Sequence, residues 1–446
     1  MNNKKEQYKR LISFFSAIII LTLTTTTFGY VWYNYYAGDI ILPFYRKGNW
    51  LLVAIYTILT LLFFKVYGGF KIGYFKKADM IYSQSLAIVC VNAVSYLQIS
   101  LIGRHFMNLM PMLMMTMLDI AIIISWTLIM TALHLRIYPP RNLIIVYGSR
   151  QAENLVSKMS NRIDKYIISA SIKEEEGLEA IKERITDYDG VIICDISPDL
   201  RNDILKFCFE NSIRTYISPK ISDIMLRGAE EINLFDTPLL LNRNYGLTFE
   251  QRLFKRILDI ALSVVGFIVA LPIMLIVALA IKLYDGGPVF YKQKRLTING
   301  KEFYVYKFRS MIIDAEKDGV ARLACDDDDR ITPVGAFIRK VRLDELPQII
   351  NIIKGDMSVV GPRPERPELT EQYKKDMPEF EFRLKVKAGL TGYAQVVGVY
   401  DTTPYDKLKM DLMYIQNYSL LLDLRIILMT LKTVIFPSKN NSSNQK

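Results

Sequence analysis

The sequence predicts three parts in order: an α-helical membrane domain, an α/β Rossmann-like domain, and a second α/β domain borne on a re-entrant membrane helix. Three observations predict this. Four long apolar stretches fill the region before Arg136. Strand-like and helix-like strings then alternate from Asn142 to Leu241. A fifth apolar stretch, Ile257 to Leu283, carries Pro272 inside it and positive charge at both ends.

Composition agrees with membrane segments: 51% of the 446 residues are hydrophobic and the mean hydropathy is +0.18. The formal net charge of +11 suits nucleic acid, an anionic membrane surface or phosphorylated substrates. Cys90, Cys194, Cys208 and Cys325 lie far apart without zinc or disulfide spacing. The only two histidines, His105 and His134, sit in or beside apolar segments. Ser-His-Asp and His–metal chemistry in a soluble domain are thereby excluded.

The four apolar stretches run from Leu11 to Trp32, Trp50 to Phe64, Ser85 to Ile102 and Met112 to Leu135, and most approach the ~20 residues a spanning helix needs. The second is short and is expected to extend past Lys65. The first is too long for a signal-peptide core and lacks a small-residue cleavage site. Lys4, Lys5, Lys9 and Arg10 precede the first span, Lys65, Lys71, Lys76 and Lys77 fill the second connection, and Arg136 and Arg141 follow the fourth. By the positive-inside rule those three regions are cytoplasmic.

In the next part, "NLIIVYGS", "GVIICD" and "IRTYIS" read as strands, and Arg150 to Arg162 and "SPDLRNDILKFCFENS" as helices, the latter capped by Ser197 with Pro198 in its first turn. Such alternation implies a parallel sheet. The first strand leads into Gly148-Ser149-Arg150, not G-x-G-x-x-G, so a dinucleotide site is disfavoured. A packing, regulatory or dimerising module is the expectation.

A straight crossing by Ile257 to Leu283 would carry the C-terminal part outside the cell. Pro272 bends a helix, and Lys255, Arg256, Lys282, Lys292, Lys294 and Arg295 make both flanks positive. A helix that breaks at Pro272 and returns to the same side is therefore expected, with an ordinary fifth span as the alternative.

The C-terminal part carries "LDELPQ" (Leu343 to Gln348), "KGDMS" (Lys354 to Ser358), "VGPRP" (Val360 to Pro364) and "YKFRSM" (Tyr306 to Met311). "VRLDELPQIINII" reads as a helix beginning near Asp344, with Pro347 in its first turn. Asp344 can then be an N-cap and Glu345 a first-turn acid. Alternatively the two carboxylates supply a nucleophile and a metal ligand. Gly361 permits a tight turn, and Pro362 and Pro364 stiffen the chain around Arg363, which suits a bidentate phosphate contact. Lys307 and Arg309, two apart on a strand, share a face. The run Asp326 to Asp329 reads as a solvated loop rather than a metal site.

Together these strings resemble the bacterial sugar transferases called monotopic phosphoglycosyl transferases, from about Phe249 to Pro437. The preceding segments resemble the large polyprenyl glycosylphosphotransferase members. The resemblance implies transfer of a sugar 1-phosphate from a UDP-sugar to undecaprenyl phosphate, with UMP released and a phosphosugar–aspartate intermediate. It implies Asp344 as nucleophile, Glu345 with Asp344 as ligands of Mg²⁺, and Pro362, Arg363 and Pro364 at the nucleotide-sugar phosphates. It places Lys307 and Arg309 beside the site, Arg309 as phosphate or ion-pair partner. The family's re-entrant helix commonly breaks at Ser-Pro, whereas Leu271 precedes Pro272 here. In "LKVKAGLTGYAQVVG" Ala388 stands where the family has proline, and the segment is expected to shape a loop.

The expected organisation is a four-helix transmembrane domain (1–138), a cytoplasmic Rossmann-like, CoA-binding-like domain (139–245), a re-entrant helix with catalytic domain (249–440) and a disordered tail (441–446). The expected location is the bacterial inner membrane with the catalytic domain cytoplasmic. Membrane lipid is an expected partner, a homodimer is left open, and nucleic acid is not expected. The rival reading keeps the membrane segments but makes the protein an inactive scaffold or regulator of a polysaccharide export complex. The sugar is not specified by the sequence.

Overall fold

The computed structural model of the chain describes residues 8–148, 151–242, 246–313, 315, 328–398 and 402–435. It forms two compact units, Met1–Pro219 and Lys220–Lys446.

The N-terminal unit begins with α1 (Lys9–Val31), extended by a π turn over Trp32–Tyr36, then α2 (Arg46–Tyr67), α3 (Lys77–Gly103) and α4 (Met110–Ile137). All four are long and apolar enough to cross a membrane. Each outruns its predicted apolar stretch, because a helix continues into the polar flank once its hydrogen-bond ladder is running; α2 does extend past Lys65. Phe28 of α1 stacks on Tyr56 of α2, with ring centroids 4.0 Å apart. The Tyr56 hydroxyl donates to Asn92 Oδ1 at 2.9 Å, and Asn92 Nδ2 donates to Thr116 Oγ1 at 2.9 Å. This polar chain joins α2, α3 and α4, as hydrogen bonds do between helices in an apolar medium.

The same unit carries β1 (Arg141–Tyr147), α5 (Gln151–Ser160), β2 (Tyr166–Lys173), α6 (Leu178–Ile185), β3 (Gly190–Cys194), α7 (Pro198–Glu210) and β4 (Arg214–Ile217). The strands form one parallel sheet in the order β2-β1-β3-β4. The predicted strings are β1, β3 and β4, and residues 190–194 of β3 are buried throughout, as an inner parallel strand requires. Sequence reading missed β2, an edge strand of alternating exposure. Ser197 does precede α7, yet its hydroxyl makes no cap bond; its N–H donates to Glu174 Oε2 at 2.9 Å instead. Ser149 and Arg150, the residues after the first strand's glycine, and Asp326 and Asp327 lie outside the described residues.

The C-terminal unit opens with α8 (Ile221–Arg227) and an antiparallel hairpin, β5 (Glu230–Leu234) and β6 (Thr237–Leu241). Helix α9 (Phe249–Asp285) follows, then the hairpin β7 (Phe290–Leu296) and β8 (Glu302–Phe308), α10 (Pro333–Lys340), α11 (Gln348–Lys354), β9 (Ser358–Val360), α12 (Pro367–Asp376), β10 (Gly389–Thr391), α13 (Tyr393–Val397), α14 (Pro404–Gln416) and α15 (Leu420–Ile435). Among the described residues its sheets are all two-stranded, and helices supply most of the packing.

Helix α9 is one continuous helix of 37 residues with Pro272 inside it. The predicted interruption at Pro272 is absent. A proline deletes its own hydrogen bond, to the carbonyl four residues back, while the ladder on either side persists. Near its start, Lys255 Nζ pairs with Asp423 at 2.6 Å, both buried. Arg256 donates to the carbonyls of Ile352 and Ile353 at 2.6 and 2.8 Å, satisfying the free end of α11. Asp259 Oδ1 accepts from the Ser358 hydroxyl and the Val359 N–H, each at 2.9 Å. Farther along, Ala270, Met274, Val277 and Ile281 pack with Phe308, Ile338 and Ile349. At its last residue Asp285 pairs with Arg309.

Candidate active site

Three segments bring charge together. Strand β8 delivers Lys307, the segment after α10 delivers Asp344 and Glu345, and the loop after β9 delivers Arg363. Between α10 and the dyad, Arg342 adopts φ 57°, a left-handed conformation uncommon outside glycine, and reverses the chain. Leu343–Glu345 then form a 3₁₀ turn closed by the Leu346 N–H on the Leu343 carbonyl at 3.2 Å. The expected helix start near Asp344 is displaced to Gln348, with Pro347 as its N-cap. Pro347 has no N–H to bond the Leu343 carbonyl, so the tighter turn takes its place.

The two acids are not equivalent. Glu345 Oε1 accepts from Arg363 Nη2 at 2.9 Å and from Lys307 Nζ at 3.1 Å. Burial works against the Glu345 carboxylate, but Arg363 and Lys307 outweigh it and hold the group at about 2. Asp344 moves the other way: burial and the neighbouring Glu345 charge raise it, against weaker opposition from Lys307 and Arg339. Burial lowers the Lys307 ammonium, and Glu345 resists the change. Glu345 is thus the fixed anchor of the cations, and Asp344 is the carboxylate that they flank without holding.

Arg363 is aimed by its own backbone. Gly389 N–H donates to the Pro362 carbonyl at 2.9 Å, Arg383 Nη2 to the Arg363 carbonyl at 2.9 Å, Arg295 Nη1 to the Pro364 carbonyl at 3.0 Å, and Leu296 N–H to the Glu365 carbonyl at 3.1 Å. Four successive carbonyls are therefore tied. Gly361 is required by close approach, since a Cβ there would lie 2.4 Å from the Lys387 carbonyl oxygen. "GLTG" supplies β10, which runs parallel beside β9, so it does shape this loop. Arg383 is itself buried and pairs with buried Asp411 at 2.8 Å. Burial pushes Asp411 up to about 6 despite that arginine.

Arg309 stands apart from this cluster, taking the ion-pair alternative with Asp285; its Nη1 is buried without a hydrogen bond. Asp328 pairs with Arg330 at 2.6 Å, and Thr332 Oγ1 caps α10 by accepting from Gly335 N–H at 2.9 Å. The Ile331 N–H donates to the Asp328 carbonyl at 3.0 Å, so Asp328 to Ile331 form a structural turn.

Residues 250–437 match the family described as bacterial sugar transferase. A putative undecaprenyl-phosphate N-acetylgalactosaminyl 1-phosphate transferase of Bacillus subtilis is 49% identical over 130 residues, covering 29% of this chain and 72% of that protein. The chain belongs to the bacterial sugar transferase family. It is also 42% identical over 184 residues to a UDP-N-acetylgalactosamine-undecaprenyl-phosphate N-acetylgalactosaminephosphotransferase of Aeromonas hydrophila (41% of this chain, 43% of that one). A UDP-glucose:undecaprenyl-phosphate glucose-1-phosphate transferase of Escherichia coli is 39% identical over 210 residues (46% and 43%). This bacterial sugar transferase thus spans about half the length of these last two curated relatives or somewhat less.

In this family member, sequence reading found Lys307, Asp344, Glu345 and Arg363 but missed the residues that position them. Arg295 was read only as one of the positive charges flanking α9, and no local pattern distinguishes it, Arg383 or Asp411 from solvated charges. A short buried strand beside "VGPRP" was the available signal.

Proposed function

We propose that the chain transfers a sugar 1-phosphate from a UDP-sugar to undecaprenyl phosphate, releasing UMP and starting a capsule, exopolysaccharide or O-antigen repeat unit. The observation that carries this reading is the asymmetry of the dyad, with both cations on Glu345 and Asp344 left beside them. An Asp344 oxygen bonds to the sugar-bearing phosphorus, the bond to the UMP oxygen breaks, and its electron pair leaves with UMP. A phosphate oxygen of the lipid then attacks the same phosphorus and releases the Asp344 carboxylate. Arg363, fixed by its backbone ties, and Lys307 meet charge on the phosphates.

The cofactor implied is Mg²⁺. Glu345 Oε1 is filled by the two cations, which leaves Oε2 and the Asp344 carboxylate as oxygen donors. That set fits an ion that takes one or two carboxylates and completes its shell with substrate phosphates and water. When bound, the ion screens the repulsion between carboxylate and phosphate.

The same reading places the unit on the cytoplasmic face of the inner membrane, with both ends of α9 on that face. Supporting it, the Lys255 and Asp285 ends of α9 both attach to the one compact unit. Across a straight 37-residue helix those ends would be separated by roughly 45 Å, more than a bilayer core. The parallel sheet is read as Rossmann-like, with a packing, regulatory or dimerising role.

The test is UMP release by purified protein given a panel of UDP-sugars with and without undecaprenyl phosphate. Lipid-dependent release with at least one sugar is expected, and Asp344→Asn should lose it while remaining folded. Sustained turnover by Asp344→Asn would remove the nucleophile assignment.

A further inference from the structure

Two adjoining cavities of the N-terminal unit lie at one end of its helices. The first, about 330 Å³, is lined by six cations: Lys9, Lys76, Lys77, Arg141, Lys165 and Arg214. The acid in its wall among the described residues is Asp164, and Arg162 holds both of its oxygens, at 2.9 and 3.0 Å. Lys9 Nζ sits 5.6 and 5.4 Å from the rings of Tyr74 and Tyr138, and Lys165 Nζ sits 4.4 and 4.9 Å from those of Tyr74 and Tyr166. Aromatic faces steady an ammonium without consuming it as carboxylates do, so its N–H donors remain available to an anion. The Lys9 and Lys165 ammoniums share this wall, and an anion between them relieves their mutual repulsion.

The second cavity, about 520 Å³, shares Lys9, His134 and Arg214 with the first and continues along Ile12, Phe14, Ala17, Met130 and Leu133. Lys9 opens α1, Lys77 opens α3 and His134 lies in the last turn of α4. The cations therefore mark the level at which three spans leave the apolar layer, and the apolar wall runs inward from it. Charge at the surface and an apolar wall below match a phosphate headgroup with a hydrocarbon chain.

We propose that these two cavities together bind one anionic membrane lipid, its phosphate among Lys9, Lys165 and Arg214 and a chain along α1 and α4. The proposal rests on the N-terminal helices lying in a bilayer and not on the transfer reaction. Nothing in it requires Asp344.

The experiment is native mass spectrometry of the full chain in detergent, titrated with phosphatidylglycerol or phosphatidylcholine, with thermal unfolding in inorganic phosphate as a parallel arm. Phosphatidylglycerol should bind at least about tenfold more tightly than phosphatidylcholine. The double variant Lys9→Gln/Lys165→Gln should lose that preference, and Lys9→Arg/Lys165→Arg should keep it, which separates lost charge from lost folding. Inorganic phosphate alone should leave the unfolding midpoint unchanged. Equal binding of the two lipids, or an anionic preference undiminished in the glutamine variant, overturns the proposal. Stabilisation by inorganic phosphate that disappears in the glutamine variant also overturns it, by placing a free phosphate in the site.

Discussion

Replacing Arg383 with methionine tests how the site is held. The arginine ties the Arg363 carbonyl at 2.9 Å and pairs with buried Asp411 at 2.8 Å. Breaking a buried pair by removing one partner costs roughly 3–5 kcal/mol, because the other charge is left uncompensated. Asp411 can escape by protonation, and its carboxyl is already raised from 3.8 to about 6 by burial. A carboxyl raised on folding binds its proton more tightly in the folded state. The stability it contributes is full below 3.8 and is lost as pH rises through about 6. Without Arg383 the carboxyl rises further, so the variant's added penalty grows between pH 5 and pH 8. At pH 5 the folded variant carries a neutral Asp411, and the main loss is the hydrogen bond to Arg363, about 1 kcal/mol. At pH 8 the loss approaches the full figure, a fall of roughly 6–20 °C in Tm for a domain of this size. The assay is thermal unfolding of the detergent-solubilised protein at the two pH values. Equal destabilisation at both would refute the reasoning, because it would show that Asp411 does not feel the arginine's charge. Arg383→Met/Asp411→Leu should regain most of the pH 8 loss.

The acid limb of kcat/KM should lie above the ordinary aspartate value, because burial and Glu345 raise Asp344 while Glu345 stays ionised. In Glu345→Gln the residual activity should show that limb at lower pH, and an unmoved limb would take the titration away from Asp344. Deleting residues 1–242 should leave lipid-dependent UMP release in detergent with lowered stability, since all residues placed in the chemistry follow Phe249; a folded, membrane-bound but inactive truncation would refute this. A cysteine near Asn299 should resist periplasmic labelling in intact cells, and efficient labelling there would mean that α9 crosses the bilayer.

The sequence was most legible where one physical constraint acts alone. The four long N-terminal helices follow from apolar length, and β1 and β3 from unbroken Ile and Val runs buried on both faces. The edge strand β2 escaped because half of its side chains face outward, so its string "YIISASIK" carries less apolar signal. Asp344, Glu345, Arg363 and Lys307 were legible through their motifs, but the acid that takes the cations was not. Which acid takes the cations depends on β8 and the loop after β9 meeting the 3₁₀ turn, contacts made across tens of residues. Arg309 illustrates the same limit: its strand position was expected to align it with Lys307, yet the C-terminal end of α9 claims it.

Helix α9 is fastened to its unit by Lys255, Arg256 and Asp259 near one end and by Asp285 at the other. A rod secured at both ends cannot swivel against the body that it carries. The helix and the unit therefore move as one body, with the distance from α9 to the Asp344 and Glu345 carboxylates set at folding. Any bilayer that takes up α9 must accommodate the whole unit with it, because the ties at both ends leave neither end free to turn alone.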